Sequence, residues 1–270
     1  MWGIKHQGFN VIIVILSVIT VAYVAYPLLT ILAFVDPSKL LDSLTRATVL
    51  NAFILSLISA TVSTLLLSLF GIPLAYFLAK YVNFHGKLVF RLIIIIPLVL
   101  PPLASGTLLL GVYGPSSSLA KAFPSIEFTQ SKLGIIIAQT YIASPFMILA
   151  SQAAFESVDE SYEKVARVLG KNRIETFFKI SLPLAKTGII LGAIMSWVRA
   201  VGELGATMMM AYNPHTISIQ IFEDNAIGGL SQAVPDIVLV ILLSIIVIIV
   251  FYIITKKRHH DKLKFLGSGQ

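Results

Sequence analysis

Long apolar runs constrain this chain more than any other feature of its sequence. The 270 residues are 57% hydrophobic and only 12% charged, whereas a soluble domain carries about a quarter charged residues. A helix needs about 20 apolar residues to cross the hydrocarbon core of a bilayer. Six stretches meet that length and predict an all-α, polytopic protein that resides in the lipid bilayer. We place the six spans at about 9–35, 48–79, 88–113, 133–154, 187–212 and 235–255.

The spans belong to a single domain, residues 1–270, and the Lys and Arg residues predict its orientation. With the amino terminus in the cytosol, segments on the cytosolic side hold fifteen of the 20 Lys and Arg, and segments on the outer side hold four. Cytosolic loops of membrane proteins carry such an excess of positive charge. We therefore expect a multi-pass protein of the cell (inner) membrane with both termini and the segment 155–186 in the cytosol. The basic tail after Thr255 is expected to rest on an anionic inner leaflet.

The sequence also argues against several classes of function. Cysteine is absent, so there are no disulfides and no thiolate sites. The net charge of +7 does not indicate a nucleic-acid partner, because the basic residues flank spans instead of lining one stripe. Neither a G-x-x-x-x-G-K-[ST] loop nor an H-E-x-x-H pair occurs. We therefore expect a non-catalytic chain that binds no cofactor and no metal ion itself.

The polar segment 155–186, between two apolar runs, carries the densest set of helix signals. Ser157, with Glu160 three residues later, predicts a capping box that starts a helix. Gly170 stands at the position where a helix commonly stops. The apolar face of this predicted helix is formed by Tyr162, Val165, Ala166 and Leu169.

A second short helix is expected after the turn at Gly170. Asn172 is suited to cap it, and Pro183 is expected to end or bend the helix near that position. A helical pair that shows an apolar stripe to the cytosol is typical of a docking surface for another chain. The alternative interpretation is an ordinary surface loop between two spans.

This segment resembles the EAA loop of ABC-importer permeases, written E-A-A-x3-G-x9-I-x-L-P. Ala166, Gly170, Ile180, Leu182 and Pro183 fall on that pattern with the correct spacing. The resemblance implies that the cytosolic helices couple the chain to a separate ATPase, which would carry out the ATP hydrolysis.

Two positions depart from the EAA pattern. Lys164 and Val165 replace its first two letters, and Glu163, one position earlier, is the candidate for the acidic group. The residues that the resemblance assigns to ATPase coupling are Tyr162, Glu163, Lys164, Val165, Ala166, Leu169, Gly170, Ile180, Leu182 and Pro183.

The predicted fifth span contains both small residues and charges. Gly188 and Gly192 form a G-x-x-x-G pair that permits close helix contact. Arg199 and Glu203 are expected on one face of this helix, where they should point to the bundle interior or to water. Two interpretations are open: an ion pair that holds the bundle together, or a polar constriction or gate on the ion path. Met208 is a candidate for an apolar closure nearby.

Residues 196–206 extend the resemblance. Their sequence SWVRAVGELGA is similar to the A-R-x-x-G-E-F-G-A stretch of permeases for sulfate, molybdate and tungstate, with Leu204 where Phe is usual. Together with the EAA-like loop and the six spans, this similarity covers nearly the whole chain from about residue 45. The chain therefore resembles the molybdate/tungstate type of importer permease.

The resemblance implies the other parts of a transporter. A second copy of the chain would pair around a central path, and two ATP-binding subunits, which hold ATP and Mg, would dock on the cytosolic helices. An extracytoplasmic oxyanion-binding protein would deliver the anion, and ATP binding would drive alternating access. A sulfate-type permease is one alternative. A secondary ion carrier that uses Arg199 and Glu203 is the alternative from another class, and it would be favoured by inverted repeats.

Two further expectations concern the remaining segments. Pro97, Pro101 and Pro102 predict a third span that is broken. The segment 213–234 is expected to be an outer loop in which His215 is solvated.

Overall fold

The computed structural model describes residues 3–80 and 86–267, without the side chains of residues 3–8, 32 and 250–267. The predicted fold class is confirmed, because these residues form α-helices and no strand. The helices are α1 (Gly3–Ala33), α2 (Pro37–Thr45), α3 (Ala47–Lys80), α4 (Lys87–Val99), α5 (Pro102–Tyr113), α6 (Ser118–Ala122), α7 (Lys132–Glu156), α8 (Glu160–Val168), α9 (Arg173–Thr176), α10 (Leu182–Val201), α11 (Gly205–Met210), α12 (Ile217–Gly228) and α13 (Leu230–Gly267).

Within the described residues, five continuous helical stretches are long and apolar enough to cross a membrane. Taken together as one span, Lys87–Val99 and Pro102–Ala122 bring the number to six, and the chain bends by 117° between them. The continuous stretches are Phe9–Ile31, Ala47–Lys80, Lys132–Glu156, Arg173–Val201 and Leu230–Ile249.

The predicted break in the third span is confirmed. Leu100 and Pro101 are extended, with ψ near 137° and 136°, and Pro102 begins the next helix. Pro lacks the N–H that a continuing helix requires, and it disfavours helical geometry in the residue before it. The two consecutive prolines therefore end α4 and let α5 leave in a new direction.

The fifth predicted span, 187–212, is not one helix, and this prediction was wrong in its outer part. The helix α10 ends at Val201, and a second, six-residue helix, α11, begins only at Gly205. A β-carbon on Gly205 would lie 2.8 Å from the β-carbon of Pro102. The absence of a side chain therefore lets the start of α11 lie against the start of α5.

The centre of the bundle is α7, which packs against α3 on one side and α10 on the other. A β-carbon on Gly188 would lie 2.5 Å from the β-carbon of Ala154, and one on Gly192 would lie 3.0 Å from that of Ala150. The G-x-x-x-G pair thus brings α10 close to a small-residue pair on α7, as the sequence predicts.

Hydroxyl groups connect the spans where the interior would otherwise hold unpaired polar groups. Ser63 on α3 donates to the carbonyl of Ile136 at 3.2 Å, and Ser196 on α10 donates to the carbonyl of Ala143 at 3.3 Å. Such bonds are used between membrane helices because the surrounding lipid offers no replacement partner.

Two boundaries differ from the sequence prediction. Much of the predicted outer loop 213–234 is helical, since α12 runs from Ile217 to Gly228. Gly229, with φ of +67°, then turns the chain directly into α13. The backbone of α13 continues to Gly267, so the predicted basic tail is helical as far as that residue, and its side chains lie outside the described residues.

The first span packs little against the rest of the described chain. No residue in its apolar window is buried, and the side chains of Tyr23 and Tyr26 are 80% and 72% exposed. Its apolar surface therefore faces lipid or another chain.

We predict that Gly188→Ala lowers the free energy of unfolding by about 1–3 kcal/mol, because the added methyl group overpacks the contact with Ala154. Gly111→Ala is the matched control, since nothing lies within 4 Å of a β-carbon there. Thermal unfolding of the purified variants in one detergent checks the difference. Equal midpoints for the two variants would contradict the close packing of α10 on α7.

Candidate functional site

The first cytosolic helix, α8, begins two residues later than the predicted capping box. Asp159 is its N-cap and accepts a hydrogen bond from the backbone N–H of Ser161 at 2.8 Å. This hydrogen bond, with a second from the Ser161 hydroxyl, holds the pKa of the Asp159 carboxyl below its usual value. The predicted Ser157–Glu160 capping box is wrong, because Ser157 donates instead to the carbonyl of Ala154 and belongs to the end of α7.

The turn at Gly170 confirms the predicted helix stop. Gly170 has a φ of +80°, and the N–H of Lys171 donates to the carbonyl of Ala166 at 3.0 Å. This is the geometry in which Gly closes a helix at low conformational cost. The glycine lies in open space, so the turn points away from the bundle.

The second cytosolic helix starts as predicted but does not end as predicted. Asn172 caps α9 through the N–H of Glu175 at 2.8 Å, and the Glu175 carboxylate accepts the N–H of Asn172. The helix then continues through a π-helical turn, Phe177–Ser181, directly into α10.

Pro183 does not end this helix, because α10 continues to Val201. It lies in the first turn of α10, after the N–H of Leu182 has bonded to the carbonyl of Phe177 in the π-helical turn. A proline is tolerated in a first turn because its missing N–H needs no partner there. A short helix and a membrane span are therefore one continuous body, from Arg173 to Val201.

Large apolar side chains of α8 and α9 are presented to solvent. Val168 and Leu169, at 87% and 75%, are among the most exposed. We call this patch the coupling surface, and its members are Tyr162, Val165, Val168, Leu169, Ile174 and Phe178. Exposed apolar patches of this kind are typical of sites that meet another protein or a membrane.

The face of α8 opposite the coupling surface is buried, which corrects part of the predicted apolar stripe. Ala166 and Glu163 are only 6% and 7% exposed, and α8 contacts the π-helical turn. Lys164 is exposed and pairs with Glu160 at 3.2 Å. Toward α10, Ile180 and Leu182 are half-buried and Pro183 is exposed.

Glu163 anchors α8 to the membrane bundle. Its carboxylate accepts a hydrogen bond from Ser181 at 2.7 Å and lies 3.5 Å from the ammonium group of Lys80. The hydroxyl of Tyr76 donates to it at 3.4 Å, and Lys80 also donates to the carbonyl of Val158. Although the sequence departs from the EAA pattern, Glu163 supplies an acidic group, and this group joins α3, α8 and the π-helical turn.

The structure brings Arg199 and Glu203 together. Their side chains form an ion pair at 2.6 Å, with Arg199 30% exposed and Glu203 only 1% exposed. Glu203 was expected on the same helix as Arg199, but it lies just past the end of α10. There its carboxylate also accepts the N–H of Ala206 at 2.7 Å. The carboxylate therefore caps the first turn of α11, and the guanidinium compensates its buried charge.

Met208, the candidate for an apolar closure, lies on the short helix α11. Met208 is half-buried on α11, whereas its neighbour Met210 is fully buried among Leu109 and Ile142. This methionine run packs α11 against α5 and α7.

A polar cluster at the predicted outer end of the bundle was missed by the sequence analysis. Arg46 pairs with Asp224 at 3.1 Å, and Ser43 donates a hydrogen bond to the fully buried Asp236. These residues join α2, α12 and α13. The sequence signal for this cluster was Asp236, at the start of a long apolar run.

His215 is only partly solvated, with its side chain 20% exposed, which corrects that expectation in part. Its Nδ1 lies 3.1 Å from the carboxylate of Glu223, and its ring packs edge-on against Tyr212. This pair could not be inferred from the sequence, because α12 was not predicted.

Comparison of the sequence with known families gives one match over most of the chain. Residues 71–260 match the family described as "Binding-protein-dependent transport system inner membrane component". The matched region includes the coupling surface, the Glu163 network and the Arg199–Glu203 pair.

Curated relatives align over most of their lengths. The probable molybdenum ABC transporter permease protein of Haloferax volcanii is 39% identical over 82% of this chain and 81% of its own. The molybdate/tungstate transport system permease protein WtpB of Pyrococcus abyssi is 35% identical over 82% and 85%.

Solved structures show the same fold at low sequence identity. A chain from a bacterial ABC transporter involved in the import of the acidic polysaccharide alginate superposes with a TM-score of 0.66 and 18% identity, covering 95% of this chain and 98% of its own. A second structure of a bacterial alginate ABC transporter, in complex with a periplasmic protein bound to an alginate pentasaccharide, gives a TM-score of 0.69 at 14% identity, over 93% and 95%.

We predict that Glu163→Gln lowers the free energy of unfolding by about 3 kcal/mol, because it leaves the ammonium group of Lys80 buried without a counter-charge. Glu160→Gln is the matched control, since it removes an equal charge from an exposed pair on the same helix. Thermal unfolding checks both variants. A loss in Glu160→Gln as large as in Glu163→Gln would contradict the anchoring role.

We predict that Arg199→Met also costs about 3 kcal/mol, because Glu203 then stays buried and unpaired. Adding Glu203→Gln should recover part of that loss, since the amide still accepts the N–H of Ala206 without a buried charge. Chemical or thermal unfolding of the single and double variants measures this coupling. A double variant less stable than Arg199→Met would show that the pair is not the stabilising unit.

Proposed function

The chain belongs to the family of binding-protein-dependent transport system inner membrane components, as a permease subunit of the molybdate/tungstate ABC-transporter type, and we propose that it moves molybdate or tungstate inward in an ATP-driven importer. The observation that carries the proposal is the coupling surface. It presents apolar side chains to the aqueous side while Glu163, on the opposite face, ties the same helix to the bundle.

An ATP-binding subunit docks on the coupling surface in this proposal. Val168 and Leu169 are large, exposed apolar side chains of the kind that a partner covers in an assembled complex. Two such subunits, which hold ATP and Mg, serve two copies of the chain. The chain itself has no phosphate-binding loop and is the non-catalytic, membrane-spanning part.

Movement passes from the docking helix to the spans through two rigid connections. The first is the Glu163–Lys80 pair, which links α8 to the end of α3. The second is the uninterrupted helix from Arg173 to Val201, which ends at the Arg199–Glu203 pair and the start of α11. A rigid-body shift of the docked helices can therefore reach the centre of the membrane, as alternating access requires.

The outer side of the chain receives an extracytoplasmic oxyanion-binding protein. Support comes from the solved structure of similar fold that includes a periplasmic protein bound to its ligand. The Lys and Arg distribution favours a cytosolic position for both termini and for the coupling surface. The membrane is the cell (inner) membrane.

Molybdate and tungstate are proposed as cargo because the curated relatives carry those names and align over about four-fifths of both chains. Sulfate has the same charge and tetrahedral shape and is the closest competitor. The secondary-carrier alternative is less favoured, because Glu203 already uses one oxygen to cap α11 and the other to pair with Arg199.

The experiment that tests the proposal is gentle purification of the chain from its native membranes, with mass spectrometry of the proteins that accompany it. A stoichiometric P-loop ATPase and ATP-dependent uptake of tungstate or molybdate by reconstituted vesicles are the expected results. A chain that purifies alone in several detergents, and drives anion movement without ATP, would support the carrier alternative instead.

We predict that Val168→Asp abolishes co-purification of the ATPase and uptake, because it places a charge in the centre of the coupling surface. Ser125→Asp is the matched control for the pull-down: it adds the same charge at an exposed position between α6 and α7, away from the coupling surface. Pull-down and vesicle uptake measure both variants. Wild-type uptake by Val168→Asp would remove the docking role of this surface.

A further inference from the structure

We propose that a cavity beside α8 binds a tetrahedral oxyanion, at a site separate from the coupling surface and from the Arg199–Glu203 pair. The cavity has a volume of about 140 Å³ and opens between the end of α3, α8 and α9. Its lining residues are Tyr76, Lys80, Glu163, Arg167, Arg173 and Thr176.

Three cationic side chains and one carboxylate line the cavity. Lys80 and Glu163 lie 3.5 Å apart and compensate each other, with both side chains about one-tenth exposed. Arg167 and Arg173 add two further positive charges to the same cavity. Guanidinium groups present planar pairs of donors that match two oxygens of an oxyanion, so arginine is well suited to such ligands.

The guanidinium group of Arg167 is positioned by a hydrogen bond from its Nε, which leaves its two terminal nitrogens available. Its Nε donates to the carbonyl of Glu163 at 3.3 Å. Its two terminal nitrogens make no hydrogen bond or ion pair with the residues that the structure describes. The hydroxyl of Tyr76 donates to the carboxylate of Glu163, and the hydroxyl of Thr176 donates to the carbonyl of Asn172. The terminal nitrogens of Arg167 are therefore the first donors that an anion would use.

The carboxylates on the neighbouring helices face other cations. Glu160 pairs with Lys164 at 3.2 Å, and Glu175 lies between Lys171 and Lys179 at 3.2 and 3.0 Å. No carboxylate of the described chain other than Glu163 lines the cavity. An external anion is therefore the natural counter-charge for Arg167.

The size of the cavity fits a small oxyanion. One water needs about 10–15 Å³ of such space, so 140 Å³ accommodates an anion of five heavy atoms with a few waters. An anion there would lie between Arg167 on α8 and Arg173 on α9, across the turn at Gly170. It would thereby hold the two helices of the coupling surface in one relative position.

The test uses the purified full-length chain in detergent, without the ATPase. Radiolabelled tungstate and phosphate are titrated by equilibrium dialysis at constant ionic strength in chloride. We expect saturable binding of one anion per chain, and a loss of affinity of at least about tenfold in Arg167→Gln/Arg173→Gln. Lys179→Gln is the matched control, since it removes a cytosolic positive charge outside the cavity, and its affinity should change less than about twofold.

A second variant keeps the test valid if the glutamine pair does not fold. Arg167→Lys/Arg173→Lys retains both charges but removes the planar donor pairs, so its affinity should fall between those of the wild type and the glutamine variant. Absence of saturable binding, wild-type affinity in either double variant, or an equal loss in Lys179→Gln would overturn the proposal.

The oxyanion can come from solution or from a phospholipid headgroup, and nanodiscs distinguish the two. If headgroups occupy the site, anionic phosphatidylglycerol discs should weaken tungstate binding to the wild type relative to phosphatidylcholine discs. If the ligand is a free anion, the two disc types should give the same affinity. The choice of tungstate as a probe rests on the proposed function, whereas the choice of phosphate does not. Binding is also measured without transport. Failure here would therefore leave the uptake experiment unaffected.

Discussion

Lipid offers no hydrogen-bond partners, so the backbone N–H and C=O groups of a membrane protein must find partners within the protein. The architecture of this protein depends on how those groups are paired at two interrupted helices. One interruption comes after α4 at Leu100 and Pro101, and the other comes after α10 at Val201. The two helices that begin beyond these breaks, α5 and α11, lie side by side, because Gly205 allows α11 to lie against Pro102. Glu203 supplies the acceptor that the start of α11 needs, and Arg199 compensates its charge.

At the predicted cytosolic end, too, a buried carboxylate is compensated by a nearby cation. Glu163 is buried beneath an exposed apolar surface, and it is stable there because Lys80 and Ser181 surround it. The helix is thereby fixed on its inner face and left unpartnered on its outer face. A docking element that must transmit movement needs both properties, since a loosely attached surface would absorb the displacement instead of passing it to the spans.

Much of the fold could be read from the sequence. The apolar runs, the proline break after Val99 and the glycine stop at Gly170 act locally, so their consequences depend on a few neighbouring residues. The capping box was misplaced by two residues, because Ser157 still belongs to α7 and Asp159 competes as a cap. The division of the fifth span was missed, because the residue that the start of α11 packs against, Pro102, is about a hundred residues away in the chain.

The sequence by itself determined the membrane class, the helical fold, the spacing of the EAA-like residues and the two charges of the fifth span. Only the tertiary structure decided what those residues do. It turned Glu163 and Ala166 inward and left Val168 outward, and it assembled the Arg46–Asp224 pair from distant segments. The physical reason is that hydrophobic length and helix caps are local properties, whereas burial and charge compensation depend on which helices meet.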